Sequence, residues 1–92
     1  MSLEIQWDPR NNTSNKSKHG VSFEEASTVL YDENAVEFYD EDGSETEDRF
    51  LLLGVSHRLR MLMVCYCVRE GDSIRIISAR KATSTEAKEY HQ

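Results

Sequence analysis

What the chain lacks narrows it first. Its 92 residues include one proline and four glycines, which excludes collagen-like and low-complexity character. The longest apolar stretch, Met61 to Val68, is short and flanked by arginines, so no membrane-spanning helix is expected. Met1-Ser2-Leu3-Glu4 has neither the basic start nor the apolar run of a signal peptide, and a cytoplasmic protein is expected. There are two cysteines, Cys65 and Cys67. At this spacing on a strand both point to one face, an awkward arrangement for a disulfide. His19, His57 and His91 are too scattered to complete a zinc site with them, so both read as small core residues and no metal is expected. P-loop, Gly-rich dinucleotide turn and nucleophile elbow are all missing, and no cofactor is expected. No repeat is present. The length fits a single domain over residues 1–92, burying somewhat over ~60% of its unfolded surface.

Charge of one sign dominates, with a net charge of −6. Spread evenly, that would disfavour a polyanion partner. It is not even: residues 1–50 carry four Lys/Arg against thirteen Asp/Glu, whereas residues 51–82 carry six against two. The bland account is a mixed surface. Because the later cations fall on expected strands rather than on an exposed helix face, a local anion site or a charged partner is the alternative.

The patterning predicts an α+β domain. Glu4 to Trp7 alternates as a short strand. Asp8-Pro9 supplies an N-cap and a first-turn proline for a wholly polar helix that Gly20 ends. Ser22 and Glu25 have the spacing of a capping box, and Phe23, Ala26, Val29 and Leu30 form the buried stripe of a second helix. Strands are expected over 35–39, 49–55, 58–69 and 73–79, the last two joined at Glu70-Gly71-Asp72-Ser73. Thr83 or Thr85 caps a final helix.

Several residues could carry chemistry. Lys18 and His19 stand at the end of the polar helix, where they complement its dipole or, alternatively, place a general acid or base beside a basic surface. Arg58, Arg60 and Tyr66 share parity with Leu62 and Val64. Arg75 and Arg80 have opposite parity unless a bulge intervenes. An arginine among isoleucines snorkels, pairs with an acid such as Glu45, Glu47 or Asp48, or meets an anion.

The string Ile5-Gln6-Trp7-Asp8-Pro9, then Asn15 and Lys18-His19-Gly20-Val21-Ser22-Phe23-Glu24-Glu25-Ala26, resembles the opening of the BrnT family of type II toxins. Glu47-Asp48-Arg49-Phe50, the Gly54 strand, Arg60, Ile74-Arg75-Ile76-Ile77-Ser78-Ala79-Arg80-Lys81-Ala82 and Tyr90 follow in matching order. The resemblance implies a RelE-like fold: a twisted antiparallel sheet of about four to five strands with two N-terminal helices and a short C-terminal one. It also implies a cytoplasmic ribonuclease toxin that inhibits growth. The partners it implies are RNA, a BrnA-type ribbon-helix-helix antitoxin and, through that antitoxin, operator DNA. On the matching positions, His19, Glu47, Arg60 and Arg80 are expected as catalytic residues, with Lys18, Arg49, Tyr66 and Lys81 contacting RNA. Two positions depart from the pattern: Asn11 stands where family members usually carry Lys, and Thr46 where Gly commonly precedes the acid. A catalytically weak binding module that acts with its antitoxin as co-repressor is the alternative.

Overall fold

Asp8 accepts a hydrogen bond from the Arg10 amide at 2.9 Å, and Pro9 takes the first helical position, where a missing N–H costs nothing. In the computed structural model, which describes residues 3–90, this start opens helix α1, Pro9–His19. His91 and the first two residues fall outside the described residues. Gly20 ends α1 in the left-handed conformation, φ 69°, with its N–H on the Lys16 carbonyl. Ser22 caps α2, Phe23–Val29, by accepting the Glu25 amide at 3.0 Å. Val21 and Ala26, which flank that cap, are fully buried. Thr83 rather than Thr85 caps α3, Ser84–Tyr90, in a reciprocal box: the Glu86 amide donates to Thr83, and the Thr83 amide donates to the Glu86 carboxylate.

Five strands complete the α+β fold: β1 Glu4–Gln6, β2 Val36–Tyr39, β3 Arg49–Val55, β4 Met61–Val68 and β5 Ser73–Lys81. They form one sheet in the order β1-β5-β4-β3-β2. From β2 to β5 the chain is an antiparallel meander, but β1 lies parallel to β5, with Ile5 opposite Ile74. The sheet is therefore antiparallel, as expected, except at β1. The cause is connectivity: α1 and α2 carry the chain from one edge to the other, and such a crossover leaves β1 free to meet β5 in the same direction. β4 also starts three residues later than expected. A turn through Ser56 and Leu59, with Leu59 at φ 62°, occupies the preceding residues.

One register shift decides which side chains share a face. Cys65 pairs with Ser78 but Tyr66 pairs with Ile76, so Ile77 is an extra residue in β5. The bulge cancels the parity difference between Arg75 and Arg80. Their partners, Cys67 and Met63, are on the same face of β4. The opposite face carries Leu62, Val64, Tyr66, Leu52, Ile74, Ile76 and Ala79, and α2 covers it with Phe23, Ala26 and Val29. Trp7 meets Phe23 edge-on at 6.2 Å over this core. At Gly54, α2 packs close against β3: a Cβ there would lie 2.8 Å from Val29. The outer face is dressed differently. Cys65 and Cys67 are buried there and free, as expected of core residues, and burial pushes both thiols up.

α1 has almost nothing apolar to bury, and one polar residue docks it. Beyond Arg75, β5 has lost its β1 partner. Asn15 takes that place, donating to the Ala79 carbonyl at 2.7 Å and accepting the Ala79 amide at 3.1 Å. It also donates to the Val21 carbonyl. A side-chain amide thus stands in for a strand and satisfies an otherwise open sheet edge.

Candidate functional site

The docking of α1 through Asn15 sets Lys18 and His19, in its last turn, beside the β5 bulge. Together with Asn11, Ser14, Asn15, Ile77 and Ser78 they line a polar cleft of about 200 Å³. Lys18 and His19 are exposed at its lip. The bulge shapes the opposite wall, a frequent use of bulges beside sites.

Arg60 reaches the residue that follows His19. Its Nη2 donates to the carbonyl of Gly20, the cap of α1, at 3.1 Å. Nε donates to Glu25 Oε2 at 2.8 Å, and Nη2 also donates to Glu25 Oε1. Glu25 is 3% exposed and accepts a further bond from Ser56 Oγ at 2.7 Å. The Arg60 guanidinium, above all, holds the Glu25 carboxyl down at about 2, against the opposing effect of burial. In return Glu25 raises Arg60. Arg58 stands 4.0 Å from the same carboxylate. Lys81, opposite Leu62 at the end of β5, belongs to this end of the sheet and is exposed. Lys18, His19, Arg60 and Lys81 are therefore gathered at one end of the molecule.

Of the remaining expected residues, Arg80 is at the same end of the sheet as Lys81 but on the other face. Arg80 lies on the outer face and is bound in two-pronged fashion to Glu86 of α3, at 2.7 and 2.8 Å. Arg80 draws the Glu86 carboxyl down to about 2. Glu47 is 3.7 Å from Arg69 and 4.0 Å from Arg49. This trio is at the far end of the sheet, since Arg49 pairs with Cys67 whereas Val55 pairs with Met61. Six residues of strand put Arg49 about 20 Å from the Arg60 end. Tyr66 shares its parity with Leu62 and Val64, and that face is covered. It is 8% exposed and stacks on Phe50 at 5.7 Å, and burial pushes its hydroxyl up to about 12. The ring is enclosed, while the hydroxyl lies by the exposed Glu37. Arg75 makes no ion pair with the acidic loop among the described residues, whose Glu47 and Asp48 are taken by Arg69 and by the Tyr39 hydroxyl.

Two residues central to this geometry had another reading or none in the sequence. Glu25 read as half of a capping box, but its carboxylate turns to Arg60 and Ser56 while only the Ser22 half of the box forms. The signal was a second glutamate beside the buried stripe of α2. Asn15, in a wholly polar helix, gave no sign that it would meet β5.

A family model described as the ribonuclease toxin BrnT of type II toxin–antitoxin systems matches residues 7–86. No curated protein matches the chain. Among solved structures, the crystal structure of the Brucella abortus ribonuclease toxin BrnT is similar, at 22% sequence identity and a TM-score of 0.69, covering 90% of this chain and 100% of that one. That likeness carries the fold, a RelE-like sheet of five strands with flanking helices. With the family model spanning most of its length, the chain belongs to the BrnT family of ribonuclease toxins.

Proposed function

We propose that this protein cuts mRNA without a divalent metal, by attack of a ribose 2′-hydroxyl on the adjacent phosphate, and so inhibits translation and growth in the cytoplasm. The observation that carries the reading is Lys18 and His19 at the lip of the polar cleft, with Arg60 bonded to the carbonyl of the next residue, Gly20. Such a cleavage requires a proton taken from the 2′-oxygen, a proton given to the 5′-oxygen, and positive charge around the phosphorane. His19 is assigned one of the two proton transfers. Lys18, Arg60 and Lys81 are assigned the charge. Arg80 joins them when a phosphate replaces Glu86 on its guanidinium. Glu47 and Arg49 are about 20 Å from this end, too far to share the scissile phosphate, and take no part in the step.

The partner in this reading is a BrnA-type ribbon-helix-helix antitoxin that carries the complex to operator DNA. The acidic run between β2 and β3, from Asp40 to Asp48, offers a basic partner a surface of opposite charge. The test is cleavage of a mixed-sequence RNA in excess EDTA by the wild type beside His19→Ala and Arg80→Ala. Cleavage by the wild type and its loss in both variants, with circular dichroism unchanged, is expected. Full activity in both variants removes the site assignment.

One observation favours a second reading: Arg60 and Arg80 are each already bound to a carboxylate. A catalytically weak toxin serving as co-repressor would form a tight heteromer and bind operator DNA without inhibiting growth. RNA cleavage by the free protein above buffer background excludes it.

A further inference from the structure

A buried carboxylate is costly unless every lone pair is used, and Glu25 is 3% exposed. Helix capping does not explain it, because Ser22 caps α2 without its help. Its partners do. Glu25 joins α2 to Ser56 in the turn before β4 and to Arg60 beyond that turn, and Arg60 in turn holds the Gly20 cap of α1.

The donors of Arg60 can be counted. A guanidinium has five N–H groups in a rigid plane. One on Nε and two on Nη2 are directed to Glu25 and the Gly20 carbonyl. The pair on Nη1 has no hydrogen-bond partner among the described residues, and the side chain remains 25% exposed. The fork is thus fixed along one edge, and one terminal nitrogen is left for an anion. A lysine could not divide its donors in this way.

We infer that Glu25 is a positioning residue for RNA: it locks the Arg60 guanidinium so that Nη1 meets a phosphate, and through the Gly20 carbonyl it fixes the cap that carries His19. The inference rests on the proposed RNA site at the end of α1. It adds a residue that never touches the substrate.

The test is binding of a mixed-sequence 2′-O-methyl RNA, which lacks the attacking hydroxyl, measured over a range of salt concentrations. Glu25→Gln keeps the size of the side chain and a partner for Ser56 but removes the charge that holds the fork. It is expected to weaken binding about tenfold and to reduce the slope of log K against log salt by about 0.7, the value of one phosphate contact on a single strand. Arg60→Ala should do the same, and the double variant should bind no more weakly than Arg60→Ala alone. Arg60→Lys, which keeps the charge but not the fork, should also lose the contact. Several results overturn the inference: a salt slope unchanged in Glu25→Gln, tighter binding in that variant, or wild-type binding by Arg60→Lys. Wild-type binding by Arg60→Ala is a different failure, because it removes the RNA site at this end of the sheet and Glu25's role with it. Should Glu25→Gln not fold, Arg60→Lys alone decides whether the fork matters.

Discussion

Arg60, at the entrance to β4, grips both carboxylate oxygens of Glu25 on α2 and reaches past it to the Gly20 carbonyl at 3.1 Å. One guanidinium therefore joins two helices to the β-hairpin, and it does so beside His19.

This pair makes stability depend on acid. Glu25 titrates at about 2 in the folded protein against an ordinary value of 4.5. A depressed carboxyl contributes fully above its unfolded value, and that contribution is lost as pH falls through the folded value. Stability should therefore decline from about pH 5 to about pH 2, Glu25 accounting for on the order of 2–3 kcal/mol of it. Glu86, also lowered to about 2, titrates in the same window. Urea unfolding at stepped pH is the measurement, and Glu25→Gln should show a clearly shallower decline.

Asn11 lines the same cleft as Lys18 and His19. Asn11→Lys adds a cation facing the proposed phosphate path. RNA binding should tighten severalfold at low salt, and the slope of log K against log salt should steepen by about 0.7. Titration at three salt concentrations checks this.

Helix α3 contains no buried residue, yet it overlies a groove lined by Phe38, Leu51 and Met63. It is held by polar contacts, the Arg80–Glu86 fork and the Tyr90 hydroxyl on Asp32 at 2.8 Å. Both members of the fork are partly exposed, so solvent screening limits its worth to about 1 kcal/mol. Glu86→Ala also removes the reciprocal cap with Thr83. Amide exchange over α3 should accelerate about tenfold or more, while β4 keeps its protection.

Gly54 has no room for a methyl group. Its Cβ would lie 2.8 Å from Val29 Cγ1 and 3.1 Å from the Ala35 Cβ. Gly54→Ala should cost about 1–3 kcal/mol in urea unfolding, by forcing α2 off β3.

Much of this was legible in the chain because local chemistry agreed with the fold. Asp8-Pro9, Ser22 and Gly20 mark helix ends through their own backbone and side-chain bonding, and all three do so in the structure. Alternation separated Leu62, Val64 and Tyr66 from Met63, Cys65 and Cys67 correctly. It could not locate the bulge at Ile77, because an extra residue in a strand of isoleucines leaves the local pattern apolar on both sides. Nor could it orient β1, whose three residues take their direction from a partner far along the chain. The site was less legible than the fold. Lys18, His19 and Arg60 do come together, but Glu47 and Arg49, expected to act with them, stand at the other end of the sheet. Asn15 and Glu25, which dock α1 and hold Arg60, act through contacts that only tertiary structure creates.

The central claim is proton transfer by His19 to or from RNA. Its most direct test is mass spectrometry of the fragments from a short RNA cut in EDTA by the wild type and by His19→Ala. The account predicts a 2′,3′-cyclic phosphate on one fragment, a 5′-hydroxyl on the other, and a rate lower by about 10²–10⁴ in the variant. Fragments ending in a 3′-hydroxyl and a 5′-phosphate, or a variant as fast as the wild type, would contradict it.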